Sequence, residues 1–209
     1  MFLYSRGLTL GGSPRQSLPW VAQITGYVNA NSSLDISAWN ADFGQPIGTV
    51  VWNCMVESQA ALADAAMSLA GQDGYLDLVE AAADLVLAPA EDQLASLVHG
   101  EITEPPSVGN VALVTEASAV VDRIGDTLAW SVDIAQHVES VTGNPVSVWS
   151  NLYGQMGRIA FISVVPDAAG MDAGQAATSA DTGYFDRLAK SAGLWVEGSG
   201  HVARYTRIV

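Results

Sequence analysis

The chain has 209 residues, with 22 acidic against 8 basic, a formal charge of −14, one cysteine and 49% hydrophobic residues, so it is long enough for one large domain or two of about 100 residues. So few basic groups cannot follow a phosphate backbone or an anionic membrane surface, and Cys54 alone rules out an internal disulfide framework and a cysteine-built zinc site. No apolar run approaches the ~20 residues that cross a bilayer, and the first residues lack a charged segment followed by an apolar one and a small-residue cleavage site; a cytoplasmic location without membrane insertion is expected.

In chain order, Phe2 to Leu10 is a β-rich run that reads as a first strand. From Pro14 to Asn31 the positions Trp20, Ile24, Tyr27 and Val28 recur at helical spacing. Leu34 to Phe43, the turn Gln45-Pro46-Ile47-Gly48, and Thr49 to Val56 predict a hairpin. Ala60 to Ala70 and Tyr75 to Leu87 are helical stretches broken at Gln72-Asp73-Gly74, and Leu94 to Val98 is a weak last strand. The order β-α-β-β-α-β then recurs: Val111 to Ala117, a helix carrying Trp130, Ile134, His137 and Val138, the pair Val146 to Tyr153 and Arg158 to Val165, and a final strand within Val202 to Ile208.

The recurrence is a duplication. Leu18, Trp20, Ile24, Val28, Ser37, Trp39, Gly44 and Gln45 fall without a gap on Leu128, Trp130, Ile134, Val138, Ser147, Trp149, Gly154 and Gln155. Phe43 falls on Tyr153, and after one deletion near Pro46 the run Gly74-Tyr75-Leu76-Asp77 falls on Gly183-Tyr184-Phe185-Asp186. The period is too long for a solenoid, so two whole domains are expected, residues 1–104 and 105–209, joined near Glu104-Pro105-Pro106. The order within each is ferredoxin-like.

The hairpin strands are apolar on both faces. Trp39 and Phe43 alternate with Ile36 and Ala38, Trp149 and Tyr153 with Val146 and Val148, and Val50, Trp52, Cys54 and Val56 with Val51 and Met55. Helices cover one face of such a sheet, so the other needs a second sheet. The expected fold is α+β: two ferredoxin-like repeats packed sheet to sheet as an intrachain α/β barrel.

With this pattern, the run Gly48-Thr49-Val50-Val51-Trp52-Asn53-Cys54-Met55-Val56-Glu57-Ser58, the alanine-rich helix after it and Gly74-Tyr75-Leu76-Asp77, the chain resembles the dimeric α/β-barrel superfamily, in particular its NIPSNAP-like and antibiotic-biosynthesis-monooxygenase-like members. The resemblance implies the fold more sharply than the function, since the superfamily includes cofactor-independent oxygenases, haem-degrading enzymes, peroxidases and members with no known activity.

No phosphate-binding glycine loop, HExxH, calcium loop or GxSxG elbow occurs. Asp133 and His137, four apart on a helix, can form an oriented base or part of a metal site; the alternative, favoured here, is a partly buried histidine making a local hydrogen bond. Trp39, Phe43, Trp52, Trp149 and Tyr153 are candidates for an aromatic pocket, or simply fill the core between sheets. The resemblance implies a Trp and an Asn holding a polyphenolic substrate, but Trp52 and Asn53 are adjacent and point to opposite faces. Gly-Tyr-x-Asp in both copies reads as a helix start, with glycine permitting the turn and aspartate complementing the dipole in the first turn.

Groups able to move protons differ between the copies, Tyr27 against His137, Asn53 against Ile162 and Thr49 against Arg158, so His137, Asn53 and Arg158 are the catalytic candidates. The expected function is a non-catalytic or small-molecule-binding protein, structural or self-associating, whose ligand would be a hydrophobic or aromatic molecule, with no metal, cofactor or nucleic-acid partner. The alternative is a cofactor-independent monooxygenase or haem-handling enzyme of the same superfamily.

Overall fold

The structure is a computed structural model that describes residues 1–101 and 105–209; Glu104, at the expected domain junction, lies outside the described residues. Strand β1 (Phe2–Thr9) leads to helix α1 (Pro14–Asn31), the strands β2 (Ser37–Phe43) and β3 (Thr49–Val56), helices α2 (Gln59–Ala70) and α3 (Asp73–Glu80), and β4 (Glu91–His99). The second copy follows as β5 (Val111–Ser118), a 3-10 turn at Val121–Arg123, α4 (Ile124–Thr142), β6 (Val146–Asn151), β7 (Arg158–Val165), α5 (Ala168–Ala180), α6 (Thr182–Ala189) and β8 (His201–Arg207). Within the first unit the strands pair in the order β1-β3-β2, and within the second in the order β8-β5-β7-β6 with the end of β4 beside β6, so the α+β class and the duplicated β-α-β-β-α-β order read from the sequence are those of the protein.

By compactness the chain forms a first unit, Met1–Leu94 with Ile208–Val209, and a second, Ala95–Arg207. The cut passes through β4, whose Ala95 and Leu97 pair with Asn151 and Trp149 of β6, while Val209 returns to the first unit and accepts from Ala38 N at 3.1 Å.

In the first unit Ile36 just before β2, Ala38 within it and the even positions of β3 meet the helices. Ile36, Ala38, Val50, Trp52, Cys54 and Val56 are buried with Trp20, Val21 and Val28 of α1 and Leu69 of α2. Burial of Cys54 in this layer pushes its thiol up to about 11. Helix α1 opens with Pro14 at its first position, where the missing N–H costs nothing, and the Ser13 N–H donates to Gln16 Oε1 at 3.2 Å. On the same sheet face the Arg6 guanidinium donates twice to Asp92, each bond 2.7 Å, and Tyr4 Oη donates to it at 3.1 Å. The Arg6 bonds hold the Asp92 carboxyl below its ordinary range, and burial raises the Tyr4 phenol.

The hairpins turn on glycines that nothing else can replace. Gly48 and Gly157 have φ of +87° and +76°, and a Cβ would stand 2.2 Å from the Leu10 carbonyl oxygen and 3.0 Å from that of Ala119. Those close approaches let Leu10 N and Ala119 N donate to the glycine carbonyls at 2.9 and 2.8 Å.

Candidate functional site

Strand alternation separates the candidates before any chemistry is considered. In the first unit, Trp52 lies under α1, edge-to-face with Trp20 at 5.9 Å, and its indole N–H donates to the buried Thr25 Oγ1 at 2.9 Å. Asn53 faces the other way, and its Oδ1 accepts from the Trp39 indole at 3.3 Å. Trp39 and Asn53 are thus brought together on the helix-free face while Trp52 is removed from it. Ser5 and Ser37 are the cross-strand partners of Asn53, and Thr9 and Thr49 make a hydroxyl contact of 3.4 Å nearby.

The second unit arms the same face differently. Register pairs Trp149 with Ala160, Ala160 with Glu116, and Glu116 with His201, giving one row across β6, β7, β5 and β8. Directly paired antiparallel residues point to one face, so indole, methyl, carboxylate and imidazole lie side by side. In the next row Arg158 pairs with Ser118. Arg158 Nε donates to Glu116 Oε2 at 3.1 Å and its Nη2 to Oε1, with side chains 28% and 14% exposed. Trp149 donates its N–H to Ser147 Oγ at 2.8 Å, since the residue in the place of Asn53 is Ile162.

His137 is not paired with Asp133. Its Nε2 lies 2.7 Å from Asp181 Oδ1, and that oxygen also accepts from Tyr184 N at 2.6 Å, capping α6. The His137 bond, then the Tyr184 N–H, lowers the Asp181 pKa. Asp133 instead faces Arg187, with Nε 3.0 Å from its Oδ2 in an ion pair that does not form an aligned hydrogen bond. Of the remaining aromatic candidates, Trp39 and Trp149 are 4% and 1% exposed, whereas Phe43 and Tyr153 are 63% and 61% exposed. No cluster of three metal-ligating side chains occurs among the described residues, and no helix there is long and apolar enough to cross a membrane.

The Gly-Tyr-x-Asp runs need a corrected explanation. Neither Gly74 nor Gly183 has a positive φ. A Cβ on Gly74 would stand 2.9 Å from the Tyr27 ring, and one on Gly183 2.9 Å from the His137 ring, so each glycine admits an aromatic side chain from the long helix. Asp77 and Asp186 lie beyond the first turns of α3 and α6, too far in for the dipole role expected of them.

Glu116, Ser118 and His201 were missed by sequence reasoning. The available signal was a carboxylate inside the apolar run Val111-Ala112-Leu113-Val114-Thr115-Glu116, but its partners lie 42 and 85 residues further along the chain, a register that only folding reveals.

No protein-family profile matches the chain, and no curated protein matches it in sequence. Solved structures do share its fold. A candidate monooxygenase from Fusobacterium nucleatum subsp. nucleatum superposes with a TM-score of 0.74 at 7% identity, over 100% of this chain and 92% of its own. An anthrone oxidase-like protein gives 0.70 at 11% identity, over 100% and 91%. A candidate monooxygenase from Lactobacillus acidophilus gives 0.67 at 12%, over 99% and 93%. At these identities the likeness establishes the fold alone: the chain is a duplication of a ferredoxin-like β-α-β-β-α-β repeat.

Proposed function

We propose that the protein binds a small apolar or aromatic molecule on the helix-free faces of its strands and has no catalytic machinery of its own. The observation that carries this reading is the burial pattern of β3, where Val50, Trp52, Cys54 and Val56 are buried against the helices while Val51, Asn53 and Met55 on the other face remain half-exposed. Val114, Ala160 and Ile162 are likewise half-exposed in the second unit. Reachable apolar side chains interspersed with a few polar groups are what small-molecule sites are made of. The non-catalytic part is supported by the commitments of the proton-moving candidates: His137 holds Asp181, Asn53 holds Trp39, and Arg158 holds Glu116.

The test is equilibrium binding of the neutral fluorophore N-phenyl-1-naphthylamine to the full chain, with Val51→Phe and Ala160→Phe filling the two faces. Saturable binding weakened by the filling changes is expected. No binding, or binding undiminished in the double variant, overturns the reading. The names of the fold relatives, a monooxygenase and an anthrone oxidase-like protein, favour a second reading, oxygenation of an anthrone-type substrate; oxygen uptake with anthrone that is lost in Asn53→Ala or Arg158→Gln would replace the first reading with this one.

A further inference from the structure

We infer that Arg158, held by Glu116 and paired across the strands with Ser118, recognises the acidic group of an aromatic anion lying on the second unit's helix-free face. This rests on the binding reading above and names the class of ligand. The guanidinium carries five N–H donors. Its Nε and Nη2 are engaged by the two Glu116 oxygens, which fixes the plane of the fork and leaves Nη1 with no partner among the described residues.

Ser118 stands directly across from Arg158, and His201 stands across from Glu116 on the far side of β5, so a hydroxyl donor borders the guanidinium and an imidazole lies one strand beyond the carboxylate. Beside them, Ala160 separates Glu116 from Trp149. Those two residues are two strand spacings apart, about 9.6 Å, with only a methyl group between them. Ile162 and Val114 pair in the adjoining row. The face therefore has a charged end with spare donors and a shallow apolar bed, which fits a flat ring bearing a carboxylate or sulfonate.

Duplication supplies an internal control. In the first unit the positions of Glu116, Ser118 and Arg158 are taken by Gly7, Thr9 and Thr49, which pair in the same register. None of these three can present a cation, and the Glu91 carbonyl oxygen lies 3.9 Å from where a Cβ on Gly7 would stand. A charge-assisted bond from a held arginine is stronger than a hydroxyl contact, so acid recognition is confined to the second unit.

The experiment compares two fluorophores of similar shape on the full chain, anionic 1-anilinonaphthalene-8-sulfonate and neutral N-phenyl-1-naphthylamine. Arg158→Gln should weaken the sulfonate on the order of tenfold, as expected for losing a charge-assisted hydrogen bond, and leave the neutral probe within about twofold. Glu116→Gln, which keeps the hydrogen-bonding shape and removes the competing negative charge, should tighten the sulfonate; this second variant decides the matter if Arg158→Gln does not fold. Binding of both probes with no selective response to either change overturns the inference alone. If neither probe binds the unaltered protein, the binding reading fails and the inference with it.

Discussion

The two units share a backbone plan but satisfy it with different chemistry, and the differences come in matched sets. In the first unit, Tyr27 Oη donates to Gln72 Oε1 at 3.1 Å; in the second, His137 meets Asp181. Gln72 and Asp181 each stand at the N-cap of the helix that follows. The Trp20 and Trp130 indoles donate to Leu78 O and Arg187 O, both at 2.8 Å, so one tie has stayed the same while its neighbour changed partners on both sides. Where the first unit has Trp52 bonded to Thr25, the second has Phe161 and Ala135, and Phe161 packs edge-to-face with Trp130 and Trp195 at 6.2 and 6.4 Å. An indole N–H that is buried demands an acceptor, whereas a phenyl ring does not. The lesson is that a buried indole N–H keeps an acceptor: it is lost together with its acceptor, as at Trp52 and Thr25, or it finds another, as Trp149 finds Ser147 where Asn53 has become Ile162.

That comparison breaks most readily at the indole. Thr25→Ala leaves the Trp52 N–H buried without its acceptor and should cost about 1–3 kcal/mol, read by denaturant unfolding. Trp52→Phe in the same chain should recover part of the loss, a coupling that a double-mutant cycle isolates. In the second unit Phe161→Trp should be costly alone and tolerated better with Ala135→Thr. A Thr25→Ala protein as stable as the original would show that the matched substitutions are accidental.

A smaller effect is expected at the helix junctions. Gly74→Ala and Gly183→Ala each push a Cβ against an aromatic ring and should cost on the order of 1–2 kcal/mol as overpacking. Because the obstructing ring lies in the partner helix, His137→Ser should relieve Gly183→Ala and leave Gly74→Ala unchanged. Equal stability of Gly183→Ala with and without His137 would mean that the glycine answers some other need.

The repeat, the element order and the α+β class were legible because they are written locally: tryptophans at helical spacing, alternating strands and glycines at turns. The opposite orientation of Trp52 and Asn53 followed from strand geometry alone and is found in the structure. The reading of His137 as partly buried also holds, but the hydrogen bond expected to be local runs to Asp181, 44 residues away, rather than to a near neighbour such as Asp133, four away. Spacing on one helix could suggest only the nearer carboxylate. The Glu116 row was illegible for the same reason, since β5, β7 and β8 contribute one group each. The role of Gly74 and Gly183 was hidden because the clash that excludes a side chain comes from another helix.

The finest difference between the units is how they respond to acid. Asp181 has its pKa lowered, first by the bond from His137 and then by the Tyr184 N–H, so its folded value lies below the ordinary 3.8. A depressed carboxyl contributes stability that is present above its unfolded pKa and lost as pH falls through the folded one. Asp181→Asn keeps a competent N-cap while removing the charge, so it should unfold more easily than the original at pH 5, with the gap closing as pH drops below about 3.8. Gln72 carries no charge at the equivalent place, and the cost of Gln72→Ala should therefore stay level over the same range. Unfolding curves of both variants against the original, taken at steps from pH 5 to pH 2, separate the two junctions. A gap for Asp181→Asn that persists at pH 2, or one for Gln72→Ala that closes in parallel, would mean that the His137–Asp181 charge is not what distinguishes the second unit from the first.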